Sequence, residues 1–249
     1  MSEKQCDLSR REALIGAGKL AVGAAVLTLG TSGVVTTVLA NKPATFPWGY
    51  KKIDPQEAGN IAYENWYKGF CCFAVVSGIL QPLQREIGEP YSSLPLMAFK
   101  WGHGGAVGWG TLCGSLNGAG IATGLIGGHD TEPILNDVIA WYTETQLPIY
   151  KPKQPKAQFK SVNASASPLC HISVGKWMKK EGVSFASPQR KDRCARLSAD
   201  IAMKTVTLLN DWKDGKYKPT HGSNVKEYGI TSQENCMECH GDDVPSPKI

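Results

Sequence analysis

The chain of 249 residues lacks several patterns that define common protein classes. It has no G-x-G-x-x-G register, which argues against a dinucleotide-binding fold although glycine is abundant. Its lysines are scattered through polar loops, so the net charge of +5 does not indicate a nucleic-acid partner. Neither a catalytic His/Asp/Ser set nor a paired-carboxylate cleft can be recognised. No segment shows the apolar–polar alternation typical of strands, and the sequence therefore predicts a mostly α-helical protein.

Cysteine is too sparse for a disulfide scaffold, because only eight residues are distributed over this length. Three residues near the C-terminus nevertheless form a specific pattern: Cys236, Cys239 and His240 spell C-x-x-C-H. This is the attachment signature of c-type haem, in which the thiolates bind the vinyl groups and the imidazole becomes an axial iron ligand. The alternatives are half of a zinc ribbon or a disulfide-prone pair. A zinc site would need a second C-x-x-C or an H-x3-5-H pair, and the sequence has neither.

Residues 1–40 resemble a twin-arginine export signal. Arg10 and Arg11 precede a run rich in Gly, Ala, Val and Thr, and residues 38–40 offer a small-residue cleavage site. The alternative is an uncleaved anchor helix, since residues 20–40 carry no charge and could just span a bilayer. We expect a periplasmic protein that contacts the membrane only through this segment, if it is not cleaved. Export after folding, with haem added later, suggests two kinds of cofactor.

Helix signals divide the remaining chain into an α-helical domain, residues 41–212, and an irregular haem-binding tail, residues 213–249. Asp54 and Pro55 begin a long helix that runs to about Ile87, with a bend expected at Gly69 or Pro82. Further helices are predicted over residues 131–146, 170–180 and 188–214.

A glycine-rich loop, residues 102–108, leads into another predicted helix. Gly110, Gly114, Gly118 and Ala122 recur every four residues and would form a face without side chains. Such a face permits close approach of another helix or of a flat cofactor.

The cysteines of the helical domain differ in their predicted surroundings. Cys113 lies beside the glycine face. Cys170 falls in a first helical turn, where the helix dipole lowers a thiol pKa, and Cys194 lies among arginines that also favour a thiolate. Cys71 and Cys72 lie mid-helix on adjacent faces, so only one of them can share a face with a given partner.

The order of these residues resembles that of the C_GCAxxG_C_C family of redox proteins. It reads Cys72, Gly102-x-Gly104-Gly105, Cys113-Gly114-x-x-x-Gly118-Ala119, Cys170 and Cys194. With the haem motif and export signal added, the chain resembles the split-Soret cytochromes c of sulfate-reducing bacteria. That resemblance implies a homodimer, an iron–sulfur cluster of the 2Fe-2S type and bis-His haems near the dimer interface. It implies Cys72, Cys113, Cys170 and Cys194 as the cluster ligands.

The resemblance also implies two haems per chain, whereas this sequence has one C-x-x-C-H motif. A second haem would be attached through a single thioether, for which Cys71 is the spare thiol, or held by its axial ligands alone. Candidates for distal axial ligands are His221, His103 and His129.

We expect a periplasmic electron-transfer protein, an electron carrier rather than an enzyme, that exchanges electrons with donor and acceptor redox proteins. Two strong histidine ligands leave no open iron position, which favours electron transfer over chemistry at the haem. The alternatives are a reductase, in which the cluster or an open haem site binds a small substrate, and a thiol-based redox sensor.

Overall fold

The computed structural model describes residues 45–222, which lie within one of the two compact units of the chain. Five α-helices form this part, namely α1 (Pro55–Ile87), α2 (Gly114–Gly127), α3 (Glu132–Glu144), α4 (Cys170–Glu181) and α5 (Pro188–Lys213). Three short 3-10 segments cover Tyr91–Ser93, Leu96–Gly102 and Gly128–Thr131. Residues 45–222 contain two isolated bridges and no strand, which confirms the predicted mostly α-helical class. The predicted export signal and the C-x-x-C-H motif lie outside the described residues.

The described helices begin and end close to the predicted signals. The Asp54 carboxylate caps α1 by accepting a hydrogen bond of 2.9 Å from the backbone N–H of Gln56. Ser187 caps α5 in the same way, accepting from the N–H of Arg190 at 3.2 Å. Gly182 adopts a left-handed conformation (φ 73°, ψ 35°) and ends α4. Across residues 45–222, no helix is of a length and hydrophobicity that would carry it through a bilayer.

The long helix α1 bends at Phe70, next to Gly69, whereas Pro82 lies within it without a break in helical geometry. Phe70 has φ 62° and ψ −165°. A residue other than glycine held at positive φ costs about 1–3 kcal/mol, and such strain persists only where the surrounding structure enforces it. The bend changes the direction of the helix immediately before Cys71 and Cys72.

The main core lies between α1 and α5, with α2 and α3 packed against it. Val76, Ile79, Ile201 and Val206 are fully buried there. The long loop between α3 and α4 is tied to this core through Asp200, whose carboxylate accepts two backbone hydrogen bonds of 2.9 and 2.7 Å from residues 149 and 150.

The glycine face of α2 packs against α1. A Cβ atom on Gly118 would lie 2.7 Å from the carbonyl oxygen of Cys72 and 2.8 Å from Cβ of Val75. Gly110 does not belong to this face, because α2 begins only at Gly114 and Gly110 lies in the preceding loop with φ 77°. The sequence predicted that either another helix or a flat cofactor would approach the glycine face. At Gly114 and Gly118 the structure shows another helix, α1.

Replacing Gly118 by alanine should lower the free energy of unfolding by about 1–3 kcal/mol, because the added methyl group meets backbone atoms of α1 that cannot move aside. Gly124 is the matched control in the same helix, since a Cβ there meets no atom within 4 Å. Gly124→Ala should stabilise the protein by up to about 1 kcal/mol through helix propensity. Urea unfolding of both variants tests this, and equal effects would contradict the proposed packing role.

Candidate metal centre

Four cysteines from separate parts of the fold approach one another. Cys71 follows the bend in α1, Cys113 immediately precedes α2, Cys170 begins α4 and Cys194 lies in α5. Cys71, Cys170 and Cys194 line one cavity of about 310 Å³. Cys113 is buried close enough to interact electrostatically with Cys71 and Cys170. All four are free thiols.

The glycine-rich loop brings Cys113 beside the start of α4. The backbone N–H of Cys170 donates to the carbonyl of Thr111 at 2.7 Å, and the N–H of Cys113 donates to the carbonyl of Pro168 at 2.9 Å. Gly110, with φ 77°, allows the chain to turn between the loop and this contact. The backbone therefore fixes the spacing of these two cysteines.

The structure places Cys71 within interaction distance of Cys113, Cys170 and Cys194, whereas the expected Cys72 interacts with Cys113 but lines no part of the cavity. Adjacent helical residues point about 100° apart, so the two thiols face different environments. The Trp66 indole N–H donates to the Cys71 sulfur at 3.1 Å, and Cys71 lines the cavity. Cys72 is fully buried in the main core. It packs so closely against Gly102 that a Cβ atom added to this glycine would lie 2.6 Å from the Cβ of Cys72. Cys72 therefore packs as a small apolar side chain.

The pKa values of Cys71, Cys170 and Cys194 are shifted in different directions. A hydrogen bond from Cys71 lowers the pKa of Cys194, and Arg193 and Arg190 lower it further against the effect of burial. This confirms the thiolate-favouring environment expected for Cys194. Burial and the neighbouring thiols raise the pKa of Cys170, so the lowered pKa expected at this helix start is wrong. Cys194 therefore ionises readily, and metal binding would release protons from Cys71 and Cys170.

The size of the cysteine cavity can be compared with what a metal centre requires. Within residues 45–222, no group of three or more His, Cys, Asp or Glu side chains has the geometry to hold a metal ion. Iron–sulfur clusters are larger, and their thiolate ligands surround a core of iron and sulfide. Three thiols around a cavity of about 310 Å³, with a fourth buried nearby, fit that requirement.

Aromatic and basic side chains surround the opening of the cavity. The ring of Phe70 lies 5.3 Å from that of His103. The Arg190 guanidinium stacks 4.3 Å from the ring of Phe185, and its Nε–H donates to the Phe185 carbonyl at 2.6 Å. Phe70 and Phe185 are 39% and 66% exposed. The cysteine cavity therefore lies close to the protein surface.

The histidines expected to bind haem lie in two separate places. His129 and His221 line a second cavity, of about 470 Å³, whereas His103 lines the cysteine cavity. Nδ1 of His221 lies 3.1 Å from an oxygen of Asp137, and its Nε2 lies 3.8 Å from an oxygen of Glu144. Nδ1 of His129 lies 2.8 Å from an oxygen of Glu132. A carboxylate on one ring nitrogen is the usual support for a histidine that binds metal through the other.

Arg193 is a site residue whose position was not predicted. It is 1% exposed, and its Nη1 lies 4.0 Å from the Cys194 sulfur. In the sequence it is one of three similar arginines, with Arg190 and Arg196. Arg193, Leu197 and Asp200 lie on one face of α5, and all three are buried. This shared face with Leu197 is the sequence feature that could have indicated the burial of Arg193.

Comparisons with known proteins identify the family of this chain. A family model described as "Putative redox-active protein (C_GCAxxG_C_C)" matches residues 70–208. The chain is 36% identical to a split-Soret cytochrome c from Desulfovibrio desulfuricans, over 94% of this chain and 88% of that protein. A solved structure of the split-Soret cytochrome c from Desulfovibrio desulfuricans, described as containing a novel iron centre, matches with a TM-score of 0.68 at 34% identity. That match covers 81% of this chain and 86% of the solved one.

The family match includes more than half of the 249 residues and all four cysteines around the site. The similarity to split-Soret cytochrome c extends over nearly the whole length of both proteins. The chain therefore belongs to the C_GCAxxG_C_C family of redox-active proteins and is a homologue of split-Soret cytochrome c.

Proposed function

We propose that the protein is a periplasmic electron carrier, in which an iron–sulfur centre and c-type haem exchange electrons with donor and acceptor redox proteins. The convergence of four cysteines from separate helices is the observation that carries this proposal. A core of this size does not need metal for stability, because residues far from the site already bury many large apolar side chains. Clustered buried thiols at a near-surface cavity are therefore best explained by ligation.

The ligands that we propose for the iron–sulfur centre are Cys71, Cys113, Cys170 and Cys194. Thiolates are the preferred ligands of such centres, and four of them suit a 2Fe-2S cluster, which transfers one electron at a time when bound. Cys71 replaces Cys72 in the expected set because of its contacts with Cys194. It is consequently not the thiol that we propose for a second haem.

For the haem, we propose attachment through Cys236 and Cys239, with His240 as the proximal ligand. His129 and His221 are the proposed distal ligands, since they line one cavity and each has a carboxylate on Nδ1. Together with His240, these two histidines supply both axial ligands of one bis-His haem and one ligand of a second haem. His103 is not included, because it lies at the cysteine cavity.

We further propose export by the twin-arginine route and assembly as a homodimer. The paired arginines and the apolar run in residues 1–40 support the first proposal. The resemblance to split-Soret cytochromes c supports the second.

Thiol-based redox sensing is the second candidate function. It is favoured by one observation, the hydrogen bond between Cys71 and Cys194. This contact lowers the pKa of Cys194 and raises the pKa of Cys71. Such a pair is suited to disulfide formation. Protein purified without oxygen that holds no iron beyond its haem, and that forms a Cys71–Cys194 disulfide on oxidation, would favour this function over electron transfer through a cluster.

Cys71→Ala should abolish binding of non-haem iron, because it removes one ligand of the proposed centre. Cys72→Ala is the matched control, one residue along the same helix, and should keep the iron while costing about 1 kcal/mol of stability through a small core cavity. Iron and acid-labile sulfide, measured per chain after anaerobic purification, distinguish the two variants. Loss of iron in Cys72→Ala together with retention in Cys71→Ala would refute the assignment.

The reduced wild-type protein should form no rapid adduct with carbon monoxide, because two histidines occupy both axial positions of the haem. At least one of the variants His129→Ala and His221→Ala should open an axial position and yield the carbonyl spectrum. His103→Ala, at the other cavity, should behave as the wild type. A rapid adduct in the wild type would contradict bis-His ligation, and an adduct in His103→Ala alone would contradict the choice of histidines.

A further inference from the structure

Arg193 is a buried cation with no carboxylate in ion-pair contact. Its side chain is 1% exposed, and none of the ion pairs within residues 45–222 involves it. One terminal nitrogen donates to the Ser173 hydroxyl at 2.8 Å, and its Nε–H has no acceptor. Its guanidinium carbon lies 6.0 Å from the centre of the Trp177 ring. One turn further along α5, by contrast, Arg196 pairs with Asp192 at 2.7 Å.

A buried guanidinium of this kind requires negative charge nearby. Arginine does not lose its proton in proteins, and burying an uncompensated charge costs several kcal/mol. Asp200 interacts electrostatically with Arg193, but burial raises its pKa to about 7 and its oxygens already bind two backbone N–H groups. Asp200 is therefore only a partial counter-charge at neutral pH.

The remaining negative charge lies on the cysteine side of Arg193. Its Nη1 is 4.0 Å from the Cys194 sulfur, and electrostatic interactions with Cys194 and Cys113 favour its charged form. Both cysteines are proposed iron ligands. An iron–sulfur centre bound by four thiolates carries net negative charge in either oxidation state, so it would supply the compensation that the protein side chains alone provide only in part.

We infer that Arg193 is the buried counter-charge of the iron–sulfur centre and raises its reduction potential. This inference rests on the proposed function. When a one-electron donor reduces the centre, one ferric ion becomes ferrous, no bond to cysteine is made or broken, and the centre becomes one unit more negative. A fixed positive charge in a poorly screened site stabilises the reduced state more than the oxidised state.

Arg190 provides a matched control for this inference. It also lines the cysteine cavity and lowers the pKa of Cys194, so it carries the same charge near the same ligand. Its side chain is half-buried at the opening and stacks on the exposed Phe185. Solvent therefore screens its charge, and removing it should affect the potential less than removing Arg193.

The experiment is an anaerobic redox titration of the full-length holoprotein, with the iron–sulfur signal followed by electron paramagnetic resonance. Arg193→Met should reduce the ratio of reduced to oxidised centre at least tenfold at the wild-type midpoint potential, a shift of about 59 mV to lower potential for one electron. Arg193→Lys keeps the charge and should shift less. Arg190→Met should also shift less. The inference would be overturned if this ratio in Arg193→Met stayed within threefold of the wild-type ratio. It would also be overturned if Arg190→Met shifted the midpoint potential as much as Arg193→Met.

Urea unfolding of iron-free protein provides the second measurement, should Arg193→Met fail to hold the centre. If Arg193 serves the anionic centre, iron-free Arg193→Met should be at least as stable as iron-free wild type, because an under-compensated buried charge has been removed. Lower stability of the iron-free variant would indicate a structural role and overturn the inference. Absence of non-haem iron from the wild-type protein would refute the proposed centre, and with it the inference. A normal centre with an unshifted potential in Arg193→Met would refute only the inference.

Discussion

Close packing between α1 and α2 is the constraint on which the candidate metal centre depends. A Cβ on Gly114 would meet the carbonyl oxygen of Gly102 and lie 2.9 Å from Cβ of Cys71, so only glycine allows Cys113 and Cys71 to approach. A hydrogen bond of 2.9 Å between Ser115 and Ser198 joins α2 to α5. α1, α2 and α5, which carry or adjoin Cys71, Cys113 and Cys194, are thereby fixed relative to one another. This rigidity would limit reorganisation on electron transfer to the proposed centre.

Local signals in the sequence predicted most of the fold, because caps and breaks act over a few residues. Asp54, Gly182 and Ser187 mark helix ends through their own backbone and side-chain chemistry. The bend at Phe70 was predicted only to within one residue, since a non-glycine residue at positive φ results from tertiary packing. The choice between Cys71 and Cys72 also depends on tertiary packing, because helical periodicity separates their faces without showing which face meets α5.

The pKa values and the strength of the charges at the site also depend on burial, which local sequence patterns do not determine. The dipole of α4 favours a thiolate at Cys170, but desolvation is the larger effect and raises its pKa. Among the three arginines of α5, one is paired with Asp192, one is at the opening of the cavity, and Arg193 is buried beside Cys194. The distinction between a screened and an unscreened charge, which governs a reduction potential, appears only once the helices are packed.

The central claim is that the thiols of α1, α2, α4 and α5 hold iron separate from haem. Its most direct test is the iron content of the wild-type protein purified without oxygen, compared with its haem content from the pyridine haemochrome. The account predicts about two iron atoms per chain beyond those in haem, with a similar amount of acid-labile sulfide. An iron content fully accounted for by haem would contradict it.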